Sequence, residues 1–148
     1  MRASPSCPRR AWSSSTGPPF VGRLAAQVDF RVVGELPPEP ALADQAQLEQ
    51  ALLNLLKNAH ESGSAPQEVA LQVRRVQDVL RIDVVDRGAG MSEAVLTNAL
   101  VPFYSTKRSG TGLGLALARE IAEAHGGRIL LSNRDGGGLA VTLILPAP

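Results

Sequence analysis

A chain of 148 residues with a formal charge of +1 is long enough for one domain with a real core and too short for two comfortable ones. The apolar share is 44%, yet the chain holds only three Phe, one Trp and one Tyr, so Leu, Val, Ile and Ala must fill that core. Acidic and basic residues are interspersed, and the absence of a long basic stripe excludes the usual nucleic-acid footprint. Cys7 is the single cysteine, which excludes an intrachain disulfide or a thiolate metal cage and fits a reducing, cytosolic setting. Arg2, Arg9 and Arg10 are not followed by the apolar stretch of a signal peptide. No stretch approaches the length of a membrane span, so direct membrane contact is not expected, and any anchor would lie outside this chain.

Residues 1 to 20 are rich in Ser, Pro, Arg and Gly and lack an apolar period, as a disordered leader or linker would. The domain is expected over residues 21–148. Val28, Phe30 and Val32 alternate with Asp29, Arg31 and Val33, which predicts an edge-type strand ended by Gly34 and the Pro37–Pro40 run. Asp44 is a good N-cap, with Gln47 three residues on as in a capping box. A helix follows, with Leu48, Leu52, Leu55, Leu56 and Ala59 on its buried stripe. Gln50, Asn54, Asn58 and Glu61 fall on the opposite face, and the stretch from Gly63 to Pro66 stops the helix.

Val69–Arg75 and Val79–Val85 both alternate around Gln77-Asp78, which predicts an antiparallel hairpin. Asp86-Arg87-Gly88-Ala89-Gly90 follows directly. A short helical piece is expected over Ser92–Leu100, then a polar loop to about Gly110. A second long helix is expected from about Gly112 to His125, burying Leu113, Leu117 and Ile121, with Gly126 as its left-handed terminator. Arg128–Ser132 and Leu139–Leu145 make a last hairpin. The pattern is that of an α+β protein: a two-layer sandwich whose mixed, mostly antiparallel sheet is covered on one face by helices.

Four segments in order resemble the histidine-kinase branch of the family that also holds gyrase, the heat-shock chaperone ATPase and the mismatch-repair ATPase, a fold often called the Bergerat fold. Leu48 to Ala59 is similar to its N box, and Asp86-Arg87-Gly88-Ala89-Gly90 to its G1 box. Pro102-Phe103-Tyr104-Ser105-Thr106-Lys107 resembles the F box, and Gly110-Thr111-Gly112-Leu113-Gly114-Leu115 the G2 box. Each segment alone is commonplace: a glycine turn, a polar helix face, a charged loop. The four together, spread over about residues 27 to 146, are specific.

The resemblance implies an ATP site. Asn54 and Asn58 stand one turn apart on one helix face. Mg²⁺ takes few protein ligands and uses phosphate oxygens for the rest, so the amide oxygen of Asn58 suffices to hold it. Asn54 would support the phosphates or the waters of the metal. The family's ATPases carry a Glu at the position of Asn54, where it activates water; an amide cannot act as a base near neutral pH. Transfer to an imidazole needs no such water, so Asn54 favours a histidine kinase. Asp86 would accept a hydrogen bond from the exocyclic amine of adenine, where guanine offers an acceptor instead. Gly88 and Gly90 would let the backbone approach the base and adopt positive φ.

Gly110, Thr111, Gly112, Leu113 and Gly114 precede a helix N-terminus, where backbone N–H groups can meet phosphate oxygens. No Lys-Ser or Lys-Thr follows, so the segment is not a P-loop. Lys107, and with it Arg108, would reach the γ-phosphate from a short lid resembling that of nitrogen-regulatory sensor kinases. Phe103 would pack that lid onto the body. Of the two histidines, His60 is near the metal-binding turn and His125 ends a helix, where an imidazole complements the dipole. Neither stands in a phosphoacceptor pattern. The expected partners are therefore a separate dimerisation domain carrying the phosphorylated histidine, and a response regulator that receives the phosphoryl group next.

Overall fold

The computed structural model describes residues 10–11, 24–33, 42–101 and 114–146. Seven strands lie among them: β1 (Arg10–Ala11), β2 (Arg31–Val32), β3 (Leu42–Ala43), β4 (Ala70–Val76), β5 (Val79–Val85), β6 (Arg128–Asn133) and β7 (Leu139–Pro146). The helices are α1 (Gln45–Glu61), α2 (Glu93–Asn98) and α3 (Gly114–Ala124). Five strands form one sheet in the order β2-β4-β5-β7-β6. Only β2 and β4 run parallel; the other three pairings are antiparallel. The architecture is the α+β sandwich that the alternation and helix periods predict.

Each element follows from its own residues. Asp44 caps α1 by accepting the Gln47 N–H at 3.0 Å, and Ser62 ends the helix, its backbone N–H donating to the Ala59 carbonyl. The β4–β5 hairpin closes on a two-residue turn in which Val76 faces Val79, and Gln77 takes the left-handed φ of 56° that such turns require. Ser92 caps α2 through its hydroxyl, which accepts the Val95 N–H. The edge strand is shorter than the alternation suggests. Only Arg31 and Val32 pair with β4, while Val28 and Phe30 still turn inward and pack on the core. Of residues 1–20, Arg10 and Ala11 are described, and they pair with Ala43 and Leu42.

The core lies between one sheet face and the two long helices. Leu80, Ile82 and Val84 of β5 and Val141, Leu143 and Leu145 of β7 project to the same side, against Leu48, Leu52, Leu55 and Leu56 of α1. Full burial of each such side chain contributes about 1.5–3 kcal/mol. On the opposite sheet face, Asp83 accepts hydrogen bonds from Arg74 and Thr142, which ties β4, β5 and β7 together.

The phase of α3 differs from expectation. Leu117 is 38% exposed, and the buried residues are Leu115, Ala116, Ala118, Ile121 and Ala122. Leu113 lies outside the described residues. Arg119, Glu120 and Glu123 mark the outer face, and the buried stripe runs through Leu115, Ala118, Ile121 and Ala122. Small Ala118 and Ala122 pack inward, which lets α3 approach α1 closely, and the larger Leu117 is turned out.

The two helices are pinned at their far ends by His125. Its Nε2 accepts the Asp44 backbone N–H at 3.1 Å, so Nδ1 carries the ring hydrogen and donates to the Ile121 carbonyl at 2.8 Å. The ring thus closes the last turn of α3, as a helix-end histidine should. It also satisfies an N–H at the start of α1, which the sequence does not reveal. Replacing this ring, 4% exposed, removes both side-chain bonds, while the Ile121 carbonyl keeps the backbone N–H of residue 125 at 3.2 Å. His125→Ala is expected to cost about 1–3 kcal/mol, the usual penalty when a buried group loses its hydrogen bond. Chemical denaturation checks it: a midpoint unchanged from wild type would remove the pin from the account.

Candidate functional site

A cavity of about 250 Å³ opens where the C-terminal turns of α1 meet the segment after β5. Asn58, Ala59 and Ser62 line it from the helix, and Asp86, Gly90 and Met91 from the segment. Val84, Leu139 and Val141 form an apolar sheet floor, and Val95 of α2 closes one side. Asn58 and Asp86 come from distant parts of the chain and share this one cavity.

Asp86 is the most constrained polar group in it. Only 3% exposed, it uses Oδ1 to accept two backbone N–H groups, from Gly88 at 2.8 Å and Leu139 at 3.2 Å. Its own N–H donates to the Leu139 carbonyl at 3.1 Å, which locks the residue to the start of β7. Among the described residues no hydrogen bond reaches Oδ2. The carboxylate is therefore held in one orientation, with one oxygen left to take a donor from a ligand. Arg134 donates to the Asp86 carbonyl at 2.8 Å. Burial, and next the charge of Arg87, draw the Arg134 guanidinium below its ordinary range, while the Asp86 carboxylate pulls it back up.

The glycines of this segment have packing reasons. Gly90 has φ of 69°, as expected, and a Cβ there would sit 2.7 Å from Asn133 Oδ1. Gly88 does not take a positive φ. A Cβ on it would overlap Ser62, whose carbonyl accepts the Ala89 N–H at 3.2 Å. Ser64 Oγ accepts the Arg87 N–H at 3.0 Å. Gly88 is thus small enough for the segment to lie against the end of α1.

Asn54 does not line the cavity. It lies one turn nearer the start of α1, with its Oδ1 accepting from Gln50 Nε2 at 3.1 Å. A Cβ on Gly114 would come within 3.9 Å of its Cβ, so the N-terminus of α3 stands beside it. Asn54 and Gly114 thus share one end of the α1–α3 contact, while Asn58 and Asp86 share the cavity. Lys107, Gly110, Thr111, Gly112 and Leu113, with Phe103, Tyr104 and Arg108, lie outside the described residues. The sequence reading missed Glu61, Met91, Val95 and the hairpin residues Asn133 and Arg134. Glu61, one turn beyond Asn58, carries a helical spacing signal that would have found it; the hairpin residues touch the site only through tertiary contacts.

Comparison with known proteins shows the family and the fold. A family profile described as "Histidine kinase-, DNA gyrase B-, and HSP90-like ATPase" matches residues 43–148. The chain is 41% identical over 126 residues to the signal transduction histidine-protein kinase AtoS of Escherichia coli (strain K12), covering 83% of this chain and 20% of that protein. It is 38% identical over 109 residues to the sensor protein FixL of Bradyrhizobium diazoefficiens, covering 72% of this chain and 22% of FixL. The chain thus spans about a fifth of the length of these curated relatives. In fold it is similar to the catalytic domain of the histidine kinase ThkA, with a TM-score of 0.80 at 23% identity, covering 94% of this chain and 95% of that one. Most of the chain matches the profile, and its relatives are sensor kinases: it belongs to the histidine kinase-, DNA gyrase B- and HSP90-like ATPase family, on the sensor histidine kinase side.

Proposed function

We propose that this domain binds ATP with Mg²⁺ and donates the γ-phosphoryl group to a histidine on a separate dimerisation domain, from which a response-regulator aspartate receives it. The observation that carries the reading is the single cavity shared by Asn58 and Asp86, with one Asp86 oxygen fixed by backbone and the other available. Asp86 selects adenine by accepting from its amine. Val84, Leu139 and Val141 give the planar base an apolar floor.

Among the described residues no cluster of three or more His, Cys, Asp or Glu could hold a metal. Mg²⁺ takes few protein ligands because phosphate oxygens supply the rest, and Asn58 would offer it an amide oxygen at the cavity edge. When bound, the ion would neutralise charge on the phosphates. Asn54, beside the α3 N-terminus, supports the phosphates or the metal's waters. Lys107 reaches the γ-phosphate, and Gly110, Thr111, Gly112, Leu113 and Gly114 line the phosphate side. With an amide rather than a carboxylate at Asn54, water has no base there, so positioning and charge neutralisation carry the reaction.

The test is direct. Wild-type chain, ATP labelled at the γ position, Mg²⁺ and a purified histidine-bearing dimerisation domain from a sensor kinase of this type are combined. The reading expects acid-labile label on that domain's histidine. Rapid release of inorganic phosphate, with no labelled histidine, would favour an ATPase instead.

A further inference from the structure

The wall of the cavity formed by Gly90 and Met91 belongs to no strand or helix, so something else must hold it in place. Asn133, the last residue of β6, does so. Its Oδ1 accepts the Met91 N–H at 2.8 Å, and its Nδ2 donates to the Met91 carbonyl at 2.6 Å. One side chain thereby reproduces the two-bond exchange of an antiparallel rung. Only a carboxamide carries an acceptor and a donor at that spacing.

The rest of the β6–β7 hairpin grips the same segment. Arg87 donates to the Asp135 and Gly137 carbonyls at 2.6 and 2.9 Å, and Arg134 donates to the Asp86 carbonyl. The glycine at position 90 fits this arrangement too, because any larger residue would collide with Asn133 Oδ1. Asp86 is fixed to β7 and Met91 to β6, so the last hairpin sets the gap between the carboxylate and the opposite wall.

We propose that Asn133 is a positioning residue for the nucleotide base: its two bonds to the Met91 backbone fix the wall that faces Asp86, and with it the preference for adenine. This rests on the ATP-binding reading above. Asn133 touches no reacting atom. It acts through Met91, and its effect should appear in base recognition rather than in phosphate binding.

The experiment titrates ATP and GTP by calorimetry into wild type, Asn133→Ala and Asn133→Asp, and follows amide hydrogen exchange in the same proteins. Asn133→Asp keeps the size and the acceptor but sets a carboxylate oxygen against the Met91 carbonyl. It therefore tests the latch even if the alanine variant folds poorly. The proposal expects ATP affinity to fall about five- to tenfold in both variants, as loss of one or two solvent-accessible hydrogen bonds implies. It also expects the ATP-over-GTP preference to narrow. The Met91 amide should exchange faster in Asn133→Ala and stay protected in Asn133→Asp, with β4 and β5 amides unchanged. ATP affinity within twofold of wild type, or equal losses for ATP and GTP with faster exchange across the sheet, would overturn it. A wild-type chain that binds neither nucleotide would instead bring down the ATP-binding reading, and this proposal with it.

Discussion

Asp86→Asn is expected to weaken ATP binding about ten- to a hundredfold while the fold survives, the range given by a charge-assisted bond of about 1.5–3 kcal/mol. The direction follows from how Asp86 is held. Oδ1 accepts the Gly88 and Leu139 N–H groups. An asparagine keeps those bonds only by placing its own oxygen there, and so turns its amide N–H₂ into the cavity. A donor then faces the donor of adenine. The flipped amide would meet adenine with oxygen but would set its N–H₂ against two backbone donors. Either way the base loses its partner or the segment loses its anchor. The 6-oxo group of guanine is an acceptor, so the ATP-over-GTP preference should shrink by more than the ATP affinity alone. Calorimetry reads both numbers, and a thermal melt shows that the fold is intact. An ATP affinity equal to wild type would remove Asp86 from the base.

Asn58→Ala should separate nucleotide binding from metal dependence. Asn58 is half-buried at the cavity edge, and alanine is the better helix former, so the backbone of α1 tolerates the change. In wild type, Mg²⁺ is expected to tighten ATP binding. In the variant, affinities with and without Mg²⁺ should converge. Labelling of the histidine domain should fall about a hundredfold, or about 2.7 kcal/mol of transition-state stabilisation. Paired titrations with Mg²⁺ and with a chelator check the first part, and label transfer checks the second. A variant that keeps the full Mg²⁺ effect would show that another residue holds the ion.

Local signals were legible in the sequence because they act within a few residues. Asp44 caps α1 by accepting the N–H three residues on, and Gln77-Asp78 closes a hairpin between directly facing valines. The N-box and G1 residues were legible because their spacing on a helix and after a strand is itself the signal. The phase of α3 was not, since Leu115 and Leu117 are equally apolar and only the packed helix shows Leu115 and the small Ala118 turned inward. The partners of Asp86 were hidden for a related reason. Leu139 is far along the chain and bonds through its backbone, which has no sequence signature. Gly88 shows the same limit: the close approach of Ser62 that its missing side chain permits has no sequence signature. His125 and Asn133 each bond backbone groups on remote elements, and only the folded chain brings them together.

Titration of the whole chain with ATP and with GTP, each with and without Mg²⁺, probes the shared cavity most directly. Saturable ATP binding that tightens with Mg²⁺, and far weaker GTP binding, is the predicted result. Equal affinity for the two nucleotides, or heat of binding indifferent to Mg²⁺, would contradict a site built from Asp86 and Asn58.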